Sequence, residues 1–352
     1  MTRITIVGGG AVGAGIAWQA AGSGARVTVV DPSPHRGASW VAGGMLAPVT
    51  EAWPGEEDLL DLGTRSLAGW PDLAGRLTAD GQDAGLRTDG TVVAALDSAD
   101  RDELTRLAEF LGKLGRDVEL VTGRRLRAME PSLSASVRAG LSVPGDLAVD
   151  NRRLHAALVA AGKARGVEWV TATVSSVSPG EVTLAHGPVY PADVIVVAAG
   201  AWSAQVHPAL NGVVRPVKGE ILRLRARPGS LPPPTRTVRG LAEGRHVYLV
   251  PRDGGNVVVG ATQYEAGFEP GARVGGVRDL LADAERLVPA LADYTLAEAG
   301  FGFRPGTNDN LPVVRWLEPG VLAATGHGRN GLLLLPGTLA IVAGLLAEGR
   351  TG

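Results

Sequence analysis

RITIVGGGAVGAGIAWQAAGSGARVTVVD, residues 3–31, decides the fold because it reads strand, glycine turn, helix, strand and terminal acid in 29 consecutive positions. Each part has a physical task in holding a dinucleotide. Gly8 permits the tight turn, Gly10 lets backbone approach a pyrophosphate, and Gly13 lets the helix pack against the strand. The phosphates then meet a helix N-terminus, where unpaired amides and the helix dipole supply positive character without any lysine or arginine. Asp31 lies eighteen positions after Gly13, near the spacing at which a carboxylate accepts from a ribose hydroxyl. A lone GxGxxG motif is weak, but here the flanking strands, the helix and the acid agree.

Composition narrows the rest. A chain of 352 residues carries about two domains and can bury a large ligand between them. Apolar residues make up 45% and charged residues 20%, which favours neither disorder nor a coiled coil. A formal charge of −2 gives no general field for nucleic acid or an anionic membrane, so neither is an expected partner. With no cysteine, disulfides, thiolate metal sites and a cofactor link through sulfur are excluded. The six histidines are scattered without ligand spacing, and no metal site is expected. The first strand follows Met1 almost at once, leaving no room for a signal peptide. The most apolar run, residues 332–346, is too short to span a bilayer and contains Pro336 and Gly337, so it reads as a core helix. The expected location is cytoplasmic.

Along the chain, residues 32–50 form a loop that turns from polar to small and glycine-rich. The spacing predicts one helix over 56–77, with Leu59, Leu62, Leu67, Trp70 and Leu73 on or near one face. GLRTDGTVVAAL, residues 85–96, reads as a hairpin turning at Asp89 and Gly90. Helices are predicted over 100–114, 123–129, 151–165 and 280–291. Residues 144–150 break the pattern, and strands are expected within 167–184. ADVIVVAAGAWS, residues 192–203, reads as a buried strand ending in small residues. Residues 213–227 and 246–262 alternate as antiparallel strands around a proline-rich loop at 228–234. From 299 the pattern is strand, loop, strand, glycine-rich loop and helix. Strand–helix–strand units at the start, middle and end, with antiparallel strands between, imply an α/β fold of two interleaved domains.

Three segments far apart in sequence carry candidate chemistry. In RHVYLVPR, His246, Tyr248, Val250 and Arg252 alternate, so a strand points all four to one face. The reading leaves open whether that face meets substrate or solvent. FGFRPG, residues 301–306, places Gly302 and Arg304 opposite two phenylalanines, and Pro305 keeps Arg304 extended. Its guanidinium is a planar fork matched to a carboxylate. VLAATGHGRNG, residues 321–331, opens from a strand into glycines with His327, Arg329 and Asn330 ahead of the last helix. Nothing resembles a hydrolytic triad. A nucleotide cofactor beside an arginine and a tyrosine, without an evident general base, points to redox chemistry carried by the cofactor.

Assembled, VGGGAVGAGIAW, GASWVAGGMLAP, VVAAGAWS, HVYLVPR, VVVGAT, FGFRPGT and TGHGRNGLLLLPGT resemble, nearly end to end, the glycine oxidase and D-amino acid oxidase family of FAD enzymes. The similarity is greatest to the bacterial glycine oxidases of thiamine biosynthesis. The resemblance implies a Rossmann-like FAD-binding domain (1–85, 145–215 and 300–352) interleaved with an antiparallel-sheet, α+β substrate domain (86–144 and 216–299). It implies that Gly8, Gly10, Ala11, Val12 and Gly13 hold the pyrophosphate and Asp31 the ribose. Ser39, Gly43, Gly44, Met45 and Leu46 would follow the ribityl chain and flavin. Val174 would lie by the adenine, with Ala199, Gly200 and Trp202 as support. Gly328, Arg329, Asn330, Gly331, Leu332 and Leu333 would reach the flavin's pyrimidine edge. Tyr248 and Arg304 match the pair that binds the substrate carboxylate, and His246 and Arg329 match further active-site positions. Gln263 stands where glycine oxidases often carry methionine, a polar change near the pocket, and Asp31 is shorter than the usual glutamate. With no cysteine, FAD would be noncovalent. The implied reaction is oxidation of glycine or another small amino acid or amine, with molecular oxygen as acceptor giving hydrogen peroxide, in support of thiamine thiazole formation. A D-amino acid dehydrogenase or oxidase, a sarcosine-type amine oxidase and a noncatalytic flavin-binding subunit are the alternatives. A homo-oligomer is possible on sequence grounds.

Overall fold

In the computed structural model, residues 1–33 and 37–348 are described. Positions 34–36 of the loop reading and 349–352 lie outside the described residues. The first strand, Arg3–Val7, lies inside a six-stranded sheet. It pairs in parallel with Arg26–Val30 and with Val194–Val197. Glu168–Val170 and Val321–Thr325 extend the parallel ladder on either side, and Val313–Glu318 closes one edge antiparallel. The connecting helix Ala11–Gly22 is apolar on nearly all faces because it is enclosed. It packs against the sheet and against the helices Asn151–Ala164 and Leu335–Glu348, with Ile4, Ile6, Trp18, Leu154, Leu158 and Leu339 in one core.

A second, eight-stranded sheet is built from Thr295–Gly306, Arg215–Arg225, Asn256–Gly260, Arg245–Arg252, Thr237–Ala242, Thr91–Ala95, Ala139–Val143 and Glu119–Thr122, in that order. Its pairs are antiparallel except Thr237–Ala242 with Thr91–Ala95. The helix Val274–Leu287 covers one face, through Leu280, Ala284 and Leu287 against Leu222, Val238 and Leu249. The opposite face turns toward the loops beside the six-stranded sheet, and the cavity described below lies there. Residues 300–306 continue this sheet without interruption, so a division at residue 300 falls inside a strand.

Local expectations change where tertiary pairing overrides them. Residues 85–96 are not a hairpin. Leu86–Arg87 pairs with Leu147–Val149 in a small sheet, whereas Thr91–Ala95 enters the large one, so the Asp89–Gly90 turn passes the chain between sheets. The helix expected over 56–77 is two helices, Glu57–Ala68 and Trp70–Ala79, because Pro71 restarts the helix at its first turn after Gly69. The pattern break at 144–150 contains the strand Leu147–Val149. The helix expected at 280–291 runs over Val274–Leu287, and a 3-10 turn, Pro289–Asp293, follows it. The strand Thr237–Ala242 had no reading in the sequence.

Candidate active site

The glycine turn is held more tightly than its motif alone requires. Gly8 has φ +103°, and a methyl group on it would overlap the Ala198 carbonyl. A methyl on Gly13 would overlap the Gly8 carbonyl, so helix and turn touch backbone to backbone. Gly10 precedes the helix without a side-chain cap, and Ser39 compensates by accepting from Ala11 N through Oγ at 2.9 Å. The buried His155 donates from Nε2 to the Gly9 carbonyl at 2.7 Å. Asp31 is partly occupied by this turn: its carboxylate accepts from Gly9 N at 2.6 Å and Ser33 N at 2.7 Å, while the side chain still lines the cavity.

One cavity of about 800 Å³ runs from this turn to the large sheet. Gly8, Gly10, Val12, Asp31, Ser39, Gly43, Gly44, Met45, Ala199, Gly200, Trp202, Gly328, Arg329, Gly331 and Leu332 line it, and so do His246, Tyr248, Gln263 and Arg304. Ala11, Gly13, Leu46, Val174, Asn330 and Leu333 do not. Gly13 and the buried Leu46 act through packing. Val174 packs at the margin of a separate core with Val177 and Val182. The Leu333 carbonyl accepts from Ser66 Oγ and Trp70 Nε1, and Asn330 sits beside it in the protein interior. Alternation along a chain cannot reveal such inward turns, because residues 328–334 are neither strand nor regular helix.

The loop over residues 38–44 is fixed by side chains that the motif reading left out. Asn151 Nδ2 donates to the Ser39 and Trp40 carbonyls, both at 2.8 Å, and Arg252 Nη2 donates to the Gly43 carbonyl at 2.7 Å. Burial lowers the Arg252 guanidinium to about 10, with Asp150 opposing that shift. Gly44 has φ +84°, and a methyl on it would overlap the Val149 carbonyl. These carbonyls are drawn to the protein side, which leaves the small residues of the loop to face the cavity. Arg252→Met removes a charge-assisted bond worth roughly 1.5 to 3 kcal/mol. The expected result is about 10- to 100-fold weaker binding of FAD, the cofactor the resemblance implies, in a fluorescence titration, and unchanged binding contradicts the assignment.

At the sheet end, Arg304 donates from Nη1 to the Thr262 carbonyl at 3.1 Å and has no acidic partner among the described residues. Its guanidinium passes over Gly219, where any Cβ would collide with it. Tyr248 lies between Gly43 and Gly260, both too close to its ring to carry a side chain. Burial pushes its phenol up to about 12 against the pull of Arg304, so it stays protonated and can donate. His246 is lowered by desolvation and then by Arg239, and its ring meets Trp53 edge-on at 5.2 Å. Arg329 is paired with Glu56 and also donates to the Glu51 carbonyl at 3.4 Å. Arg239 and Glu51, which the sequence reading did not single out, form a further cavity-lining ion pair at 3.0 Å.

Two buried groups titrate in opposite senses. His327, which shares a hydrogen bond with Thr338 Oγ1 at 2.9 Å, is lowered by burial to about 4. Its contribution is present above the unfolded value of about 6.5 and is lost as pH falls through 4. Asp146, beside Arg239 and Glu51, accepts from Thr50 Oγ1 at 2.8 Å, and burial raises it to about 7. A raised carboxyl stabilises the fold below its unfolded value and loses that contribution as pH rises through 7. Asp146→Asn is therefore expected to raise Tm over the parent protein at pH 8, by an amount equivalent to at most roughly 4 kcal/mol, and to lose the advantage near pH 4. Thermal unfolding at both pH values checks this, and an equal offset at each refutes it.

The cavity suits a long, partly anionic ligand. One end is a glycine turn and helix start, the middle is small residues with no room for side chains, and the far end carries an uncompensated guanidinium. A flavin dinucleotide fits that donor set, and no cysteine is available to bind it covalently. Similarity to other proteins agrees. The glycine oxidase of Geobacillus kaustophilus is 34% identical over 359 residues, covering 99% of this chain and 93% of that one. The crystal structure titled glycine oxidase from the same organism superposes with a TM-score of 0.88 at 33% identity, covering 99% of this chain and 95% of that one. The bifunctional protein ThiO/ThiG of Nostoc sp. is 34% identical over 360 residues; the match takes in all of this chain but only 54% of that protein, so the chain spans about half its length. The FAD dependent oxidoreductase (DAO) family matches residues 3–345, and the chain belongs to it.

Proposed function

We propose that the chain oxidises glycine or a similarly small amino acid, taking an α-amino acid, oxygen and water to the oxo acid, ammonia and hydrogen peroxide. The imino or oxo product would serve thiamine thiazole formation, and cytoplasmic action is part of this reading. The observation that carries it is Arg304, a guanidinium without an acidic partner among the described residues, facing the same cavity as Tyr248 and the glycine turn. Bound FAD would accept the hydride leaving the α-carbon and pass the electron pair to oxygen.

The chain's own residues would do the rest. Arg304 offers a fork to the substrate carboxylate, and Tyr248, held protonated, donates a second hydrogen bond to it. Two fixed contacts orient the α-carbon, and positioning of this kind lowers a barrier by several kcal/mol without any acid or base residue. At the dinucleotide end Gly8, Gly10 and Val12 would receive the pyrophosphate and Asp31 the ribose, with Gly13 packing the helix behind them. Ser39, Gly43, Gly44 and Met45 would follow the flavin from one side, with Leu46 packed behind them. Ala199, Gly200, Trp202, Gly328, Arg329, Gly331 and Leu332 would do so from the other. Gln263 and His246 border the substrate and tune which amine fits. The interleaved segments 1–85, 145–215 and 300–352 would form the FAD unit, and 86–144 and 216–299 the substrate unit.

Among the described residues no helix is long and apolar enough to cross a membrane, and no group of side chains is arranged to hold a metal ion. A peroxide-coupled assay over glycine, sarcosine, D-alanine and D-proline tests the proposal. Peroxide formation with at least one of them supports it. Amine-dependent flavin reduction without peroxide under air would replace the oxidase by a dehydrogenase.

A further inference from the structure

We propose that Arg239 and Glu51 give the substrate cavity a second carboxylate site, and that the preferred substrates are secondary amines with a carboxylate on each side, the N-carboxymethyl amino acids. This rests on the amino acid oxidase reading above and narrows its substrate class.

Arg239 lies on Thr237–Ala242 directly across from Tyr248 on Arg245–Arg252, and cross-strand partners share a face. Both line the cavity. The Arg239 side chain is only 11% exposed and pairs with Glu51, itself 15% exposed, at 3.0 Å. On the other side of Tyr248 stands Arg304. In the order of the sheet, the strand of Arg304 lies on one side of the Tyr248 strand and the strand of Arg239 on the other. The wall thus offers a guanidinium on each side of Tyr248, with the Glu51 carboxylate beside the Arg239 one. A chain of carboxylate, ammonium and carboxylate is its complement, whereas glycine or sarcosine matches only part of it.

Arg239 can accept a second anion while keeping Glu51, because a guanidinium has five donors and one carboxylate uses two at most. Arg329 is a poorer anchor. Glu56 pairs with it, Asn310 Nδ2 holds the other Glu56 oxygen at 2.6 Å, and the Glu51 carbonyl takes a further donor.

Two redox-inert ligands that differ in one carboxylate, thiodiacetate and (methylthio)acetate, test the site by calorimetric titration of the FAD-loaded protein. The expected result is at least about tenfold tighter binding of thiodiacetate, the usual scale of one added charge-assisted contact. In Arg239→Gln the two ligands converge to within about threefold, and Arg239→Lys, which keeps the charge and guards against misfolding, retains part of the difference. In turnover, iminodiacetate exceeds sarcosine in kcat/KM through KM, and the ratio collapses in Arg239→Gln. Equal binding of the two ligands by the parent protein, or a ratio that survives Arg239→Gln, overturns the proposal. If glycine yields peroxide but the ligand ratio is near one, the second site fails and the oxidase reading stands. If the ligand ratio holds while no amine reduces the flavin, the site stands and the oxidase reading fails.

Discussion

Arg304→Ala is expected to lower kcat/KM for glycine or sarcosine by roughly 30- to 4,000-fold, equivalent to 2 to 5 kcal/mol, with little change in FAD affinity. The size follows from the surroundings of the guanidinium. Its one side-chain hydrogen bond among the described residues is to the Thr262 carbonyl at 3.1 Å, so most of its donors remain for a ligand. The cavity around it is partly shielded from water, where a charge-assisted pair is worth more than at a surface. Alanine also leaves the space above Gly219 empty and, on the proposed reading, leaves the substrate carboxylate to the Tyr248 phenol. Steady-state kinetics with a carboxylate substrate, beside an FAD titration of the same variant, separates substrate anchoring from cofactor loss. An unchanged kcat/KM would remove Arg304 from the site. Arg304→Lys should recover part of the loss, since it restores the charge but not the planar fork.

Gly8→Ala is expected to abolish FAD retention on purification and to lower Tm by several degrees. At φ +103° a side chain is strained wherever it points, and this methyl would also overlap the Ala198 carbonyl at the end of the neighbouring strand. Either the turn or the Val194–Val197 strand must shift, at a cost of about 1 to 3 kcal/mol. Both elements border the dinucleotide end of the cavity, so the shift reaches the cofactor. Gly10→Ala makes an instructive contrast. A methyl there meets only Ser39 Oγ, at 3.2 Å, so the fold should tolerate it and the bound cofactor should not. The ratio of flavin to protein absorbance and a thermal melt together distinguish the two variants. A Gly8→Ala protein that remains fully yellow and equally stable would contradict the account.

The residues that could be read from sequence are those whose role is local. The glycine turn, the strand before it and the helix after it are contiguous, so spacing alone carries their geometry. Likewise Tyr248 and Arg252 share a strand face by simple alternation, and Pro305 restricts Arg304 from the next position. The hairpin at 85–96 failed for the opposite reason. Asp89 and Gly90 do form a turn, but the pairing partners of the flanking strands come from residues 139–149 and 237–242. Arg239 and Glu51 were invisible because an arginine in a strand and a glutamate in a loop carry no pattern until they are brought together across 188 positions.

By itself the sequence determined the dinucleotide-binding start, the absence of cysteine chemistry, the family and the residue types available to meet a carboxylate. Only the tertiary structure decided which of those residues share a cavity, which carbonyls the Asn151 and Arg252 side chains pull out of it, and that Arg304 alone of the cavity-lining guanidinium groups lacks an acidic partner among the described residues. The physical reason is that backbone conformation and side-chain alternation are set by near neighbours. Charge compensation, burial and pKa are set by whatever strand or loop the fold lays alongside.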